Sequence, residues 1–271
     1  MNAPTSRKPV VVVGIDGSKQ AMRAAGWAAV EAASRDATLR LVYVIETDEA
    51  DRQESIDVAQ RALSEAWAAV ADTQVDVKIE SEIASGRPAD CLIEESRYAT
   101  LTCVGHRDGD DRPKVPPGST AVEVARKAYG SVAIVRRAHP NNEFDHRKWI
   151  VVAADESEAV TETLKAAQDE AATRDAPILV LESWSHSRNE ADASLPEHAA
   201  LKRYLKDSTN HHVQSVTLPM PEHLTNLLRQ SACIDQLFIV PGDRTDLVDE
   251  LTDDRTRKLL QDSDCSLMVI R

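Results

Sequence analysis

The chain has 271 residues, enough for one large domain or two of ordinary size. Its 32 basic against 45 acidic residues leave a formal charge of −13, and 42% of it is hydrophobic but only 4% aromatic. So acidic a chain, with few rings to stack on bases, speaks against nucleic acid and anionic membranes as partners and calls for an aliphatic core.

The N-terminus is polar, and the apolar run Val10 to Val13 is far too short for a signal-peptide core or a membrane span. Cys91, Cys103, Cys233 and Cys265 are scattered, without a C-x-x-C pair, and read as free thiols in a reducing compartment. The expectation is a soluble cytoplasmic protein.

Lys8 to Ile15 is a continuous β-branched run, as for a strand buried on both faces of a parallel sheet. It ends in Gly14-Ile15-Asp16-Gly17-Ser18, a tight turn with Ser18 placed to cap an alanine-rich helix over Ala21 to Arg35. Thr38 to Ile45 predicts a second strand and Asp48 to Asp72 a long helix. Val75 to Ile83 alternates like an edge strand, and Pro88 opens a helix through Tyr98. Leu101 to Val104 is the fourth strand, Ser119 to Tyr129 the next helix, and Ser131 to Val135 the fifth strand. Strands alternating with helices predict a doubly wound parallel α/β sheet with right-handed crossovers. With strand order 3-2-1-4-5, Asp16 and Gly105 face each other where the winding reverses, the usual ligand position in such sheets.

Arg136 to Arg147 is polar, contains Pro140-Asn141-Asn142 and reads as a linker. The pattern then restarts. Trp149 to Ala154 precedes Asp155 as Val10 to Ile15 precedes Asp16, and strands follow at Pro177 to Leu181, Val213 to Leu218, Gln236 to Val240 and Leu267 to Ile270. Helices fall over Glu158 to Arg174, Leu195 to Asp207, Pro221 to Ser231 and Thr256 to Gln261. The expected architecture is therefore a tandem duplication, with domains over residues 1–138 and 147–271.

The stretch from Leu101 to Ala125 carries the chemistry. A strand ends at Gly105, a polar loop follows, and Gly118-Ser119-Thr120 opens a helix. Glycines that free the backbone, with hydroxyls at a helix start, can present N–H groups to a phosphate. The same residues also suit a long surface loop with an ordinary N-cap. Asp16 can likewise be a turn-former bonded to its own backbone. His106 lies inside the loop, while the other histidines are dispersed and only His211-His212 adjoin. Trp27, Trp67, Trp149 and Trp184 read as core or interface fillers. There is no Walker motif, no GxSxG and no serine–histidine–acid set.

VVVGIDGS (Val11 to Ser18), LVYVIE (Leu41 to Glu46), CVG (Cys103 to Gly105), GSTAVEVARKA (Gly118 to Ala128) and SVAIVR (Ser131 to Arg136) resemble the universal stress protein family, tandem-domain type. In ATP-binding members a G-x2-G-x9-G-[ST] motif follows the fourth strand, and Gly105, position 108, Gly118 and Ser119 keep that spacing. The resemblance implies two Rossmann-like or flavodoxin-like domains with an adenine-nucleotide site in the first. Asp16 matches the acidic residue near the adenosine, and Val44 the residue whose backbone meets the adenine edge. Gly105, Gly118, Ser119 and Thr120 match the phosphate-holding positions. The departure is Asp108, where the family has its second glycine. Its carboxylate repels a phosphate unless Arg107, Arg112 and Lys114 offset it or a Mg²⁺ bridges them.

In the second half the stretch Arg244 to Arg257 is Asp-rich and has no glycine, so no nucleotide is expected there. The resemblance implies a stress-response regulator that binds ATP, with Mg²⁺ as a further option. AMP, cyclic AMP or no nucleotide are the alternatives. Any ATP turnover would be slow, because no general base is evident beyond Asp16. The rival reading is a scaffold of the same fold that has lost its nucleotide and works through an unknown protein partner. A third, an adenylate-handling enzyme, lacks a visible catalytic set. Family members pair through the fifth strand, which leaves pairing within one chain or a homodimer open.

Overall fold

A computed structural model describes residues 8–46, 52–106, 119–136, 149–154, 159–182, 218–219, 236–253 and 265–271. The chain divides into two compact units, Met1–Arg137 and Ala138–Arg271.

In the first unit the elements run β1 (Val10–Ile15), α1 (Lys19–Ser34), β2 (Thr38–Ile45), α2 (Arg52–Ala71), β3 (Ile79–Ser85), α3 (Pro88–Glu95), β4 (Leu101–Gly105), α4 (Ser119–Lys127) and β5 (Val132–Val135). All four strand pairings are parallel, in the order β3-β2-β1-β4-β5. Helices α1 and α2 pack together on one face, α3 and α4 on the other, so the winding reverses between β1 and β4. The expected doubly wound α/β sheet is what forms.

The core is aliphatic, as a chain so poor in rings requires. Val10 to Val13, Leu39, Leu41, Leu101, Cys103 and Val132 to Val135 are all buried. Ala21, Ala24, Ala25, Ala28, Ala29 and Ala32 give α1 a stripe of methyl groups facing the sheet. A helix with so little side chain on its inner face can lie close to the strands beneath it.

The second unit repeats the plan with β6 (Trp149–Ala154), α5 (Val160–Arg174), β7 (Ile178–Glu182), β8 (Leu218–Pro219), β9 (Gln236–Pro241), α6 (Thr245–Thr252) and β10 (Cys265–Ile270). Its strands are also parallel, in the order β8-β7-β6-β9-β10.

Two elements differ from the sequence expectation. Strand β3 starts at Ile79 rather than Val75, because pairing with β2 runs from Leu39↔Ile79 to Ile45↔Ser85. The alternation at Val75 and Val77 belongs to the irregular segment that leads into that strand. Helix α6 falls in the Asp-rich stretch where no helix was expected. Leu247, Val248 and Leu251 form one buried face, and Arg244 binds Asp246 at 2.7 Å in the first turn. Composition obscured a three-residue apolar stripe. Trp67 stands out of the core, 44% exposed, with Nε1 donating to Ser81 Oγ at 2.8 Å. The helices expected over 195–207, 221–231 and 256–261 and the strand residues 213–217 lie outside the described residues.

A short sequence also recurs between the two units. EAASRDA at 31–37 recurs as EAATRDA at 170–176. In each copy a fully buried glutamate pairs with the arginine one turn later: Glu31 with Arg35, and Glu170 with Arg174 at 2.6 Å. The following aspartate takes a left-handed backbone, φ 47° at Asp36 and 48° at Asp175. The next alanine N–H then closes back onto the helix, Ala37 to Ala32 O at 2.8 Å and Ala176 to Ala171 O at 3.0 Å. This is a helix stop in which aspartate replaces the usual glycine.

Candidate functional site

The carboxyl ends of β1, β2 and β4 bring Asp16, Val44 and Gly105 to one edge of the first sheet. Gly14 pairs with Val42 and Ile15 with Tyr43, so Asp16 and Val44 follow at the same level on adjacent strands. Val13 pairs with Cys103, which carries β4 to its last residue, Gly105, level with Ile15.

Asp16 is exposed, and its Oδ1 accepts the Ser18 N–H at 2.9 Å. Gly17 takes φ +79°, the left-handed turn that lets the chain reverse. Ser18 Oγ then accepts the Ala21 N–H at 3.1 Å and caps α1. The bond to its own backbone makes Asp16 a turn-former and at the same time holds its carboxylate at the strand end.

Gly105 serves a purpose the sequence did not indicate. Its backbone is not left-handed. A Cβ there would meet the backbone of α1, with Gln20 C at 2.7 Å, Gln20 O at 2.8 Å and the Ala21 N at 2.9 Å. Glycine is required because the N-terminal turn of α1 rests on the end of β4. His106, the next residue, is buried and extends the sheet, its N–H donating to Val135 O at 2.9 Å.

Ser119 and Thr120 are half-buried and open α4. The first turn of α4 has no acidic residue and its last turn carries Arg126 and Lys127, so its own side chains leave the positive end of the helix dipole uncompensated. That charge pattern suits an anion at the N-terminus and fits the phosphate group implied by the motif. Asp108 and Gly118 lie outside the described residues, as do Arg107, Arg112 and Lys114.

Sequence reasoning overlooked Arg87. It sits at the N-cap of α3 but makes no cap bond there. Its Nη1 and Nη2 donate to the two carboxylate oxygens of Glu123 on α4, each at 2.7 Å. Nε and Nη2 donate to Asp90 at 3.0 and 2.8 Å. Asp90 and then Glu123 raise the Arg87 pKa, while Arg87 and then Lys127 hold the Glu123 carboxyl down to about 2. An arginine just before a helix-opening Pro88, with Asp90 three residues on, was the available signal. Cys91, half-buried beside this turn, has its thiol pushed up by burial and then by Asp90, which disfavours the thiolate.

The second unit builds the equivalent corner differently. Val152 pairs with Ile239 as Val13 pairs with Cys103, which puts Pro241 in the place of Gly105. Proline carries a ring at the position where the first unit has no side chain. The side chain of Arg271 also lies across the end of β9, its Cγ 2.7 Å from where a Cβ on Gly242 would stand. Asp155 lies outside the described residues.

The model of the universal stress protein family matches residues 9–136. Universal stress protein Rv2028c of Mycobacterium tuberculosis is 34% identical over 280 aligned residues, covering 97% of this chain and 96% of its own. The chain belongs to the universal stress protein family. Universal stress protein Rv3134c of the same species is 43% identical over 134 residues, 48% of each chain. Among solved structures, a universal stress protein from Archaeoglobus fulgidus superposes with a TM-score of 0.68 over 97% of this chain and 98% of its own. At 15% identity that likeness concerns the fold alone. Among the described residues no helix is long and apolar enough to cross a membrane.

Proposed function

We propose that this universal stress protein binds an adenine nucleotide, ATP with or without Mg²⁺, at the carboxyl edge of its first sheet and acts as a nucleotide-sensing regulator of a stress response. The observation that carries the reading is that Asp16, Val44 and Gly105 lie level at the carboxyl edge of neighbouring strands where the winding reverses, and the charge pattern of α4 supports it. In this reading Asp16 accepts from a ribose hydroxyl and the Val44 backbone meets the adenine edge. Ser119 and Thr120 receive phosphate oxygens, together with Gly118. The second unit carries no nucleotide, a reading supported by Pro241 in the place of Gly105 and by Arg271 across the same corner.

Asp108 favours a second reading, a scaffold without nucleotide that acts on a protein partner. A carboxylate about 4 Å from a phosphate oxygen opposes binding by about 4 kcal/mol at an effective dielectric of 20. Calorimetric titration with Mg-ATP, AMP and cyclic AMP separates the two readings. Saturable heat that is lost in Asp16→Ala and strengthened in Asp108→Gly supports the sensor. No heat with any adenylate leaves the scaffold.

A further inference from the structure

A phosphate-holding turn at the start of α4 works only if that helix begins in the right place. The apolar face of α4 does little to ensure this. It buries Ala121, Val124 and Ala125, two of them single methyl groups, which offer shallow relief against sliding along the helix axis. The clamp to α3 supplies what packing does not. Glu123 lies one helical turn after Ser119, and both its oxygens are held by Arg87 at 2.7 Å while Lys127 donates to Oε1 at 2.8 Å. Arg87 is itself anchored by two bonds to Asp90, so the planar guanidinium is fixed from both sides.

We propose that Arg87 is a positioning residue for the nucleotide site, setting the height of the Ser119–Thr120 turn through Glu123. The proposal rests on the nucleotide reading above. It assigns to Arg87 no contact with the phosphates. Charge and position then predict different outcomes, because Arg87 and Glu123 carry opposite charges. If the pair acted through its field, removing Arg87 would weaken an anionic ligand and removing Glu123 would strengthen it. If it acts by holding α4, removing either weakens the ligand.

The test uses the full chain and measures the Kd of Mg-ATP and of adenosine for wild type, Arg87→Ala, Glu123→Ala and the double variant. Amide exchange of residues 123–126 is followed without ligand. Both single variants are expected to raise the ATP Kd roughly two- to fivefold, the range of an exposed ion pair. The double variant should be no worse than the weaker single, adenosine should be unaffected, and exchange should quicken in all three. Opposite signs for the two single variants, or ATP affinity unchanged in both, overturns the positioning role. A wild-type chain that ignores both ligands refutes the nucleotide reading and the ligand half of this proposal. Exchange rates then still decide whether the clamp holds α4.

Discussion

Replacing glycine by alanine should have opposite effects at two positions, one packed against α1 and one inside it. At Gly105 the added methyl group would stand 2.7–2.9 Å from three backbone atoms of Gln20 and Ala21. Backbone cannot rotate away as a side chain can, and α1 is seated by a row of buried alanines. The helix or the end of β4 must therefore shift by several tenths of an ångström, and overpacking of this kind costs about 1–3 kcal/mol. At Gly26, inside α1, the new methyl group would meet Thr73 Cγ2 at 3.4 Å and Ala69 O at 3.5 Å, which are ordinary contacts. There alanine should stabilise by about 0.5–1 kcal/mol, because a helix-interior glycine loses more backbone entropy on folding. Urea unfolding of the full chain measures both. Amide exchange in β1 and β4 should report the first unit separately, since two compact units need not unfold in one step. Gly105→Ala within about 0.5 kcal/mol of wild type, or Gly26→Ala as costly as Gly105→Ala, would refute the close-approach argument; surface-like substitutions fall in that range.

Thr102 is fully buried in β4, and its hydroxyl has no hydrogen-bond partner among the described residues. Thr102→Val should stabilise the first unit by about 1 kcal/mol in urea denaturation, because it removes an unsatisfied polar group at little change of shape. Ser18→Ala removes the N-cap of α1 and should cost about 1 kcal/mol, read in the same experiment. The Glu123 carboxyl is held down from 4.5 to about 2, so its protonation opposes the folded clamp. The stability that wild type has over Glu123→Gln should be complete above about pH 4.5. It should fade as pH falls toward about 2, and a gap independent of pH would show that the carboxylate charge is irrelevant.

Much of the fold is legible in the sequence because the local signals are strong. Val10 to Val13 is a fully buried strand on composition alone, and Ser18 ahead of an alanine-rich run marks a helix start. The second unit is read less well. Helix α6 is concealed because six residues from Asp243 to Asp254 are acidic, and its three apolar anchors count only once they are buried. In the candidate site, sequence spacing singles out Asp16, Gly105, Ser119 and Thr120. It does not reveal Arg87, whose partner Glu123 lies 36 residues away on another helix.

The sequence by itself determined the parallel α/β class and the family, since periodicity and motif spacing are properties of neighbouring residues. Tertiary structure alone decided why Gly105 must be glycine, that Pro241 takes its place in the second unit, and that Arg87 joins α3 to α4. These are contacts between backbones and side chains distant in the chain. They arise only when strand register and helix packing bring the pieces within a few ångströms of each other.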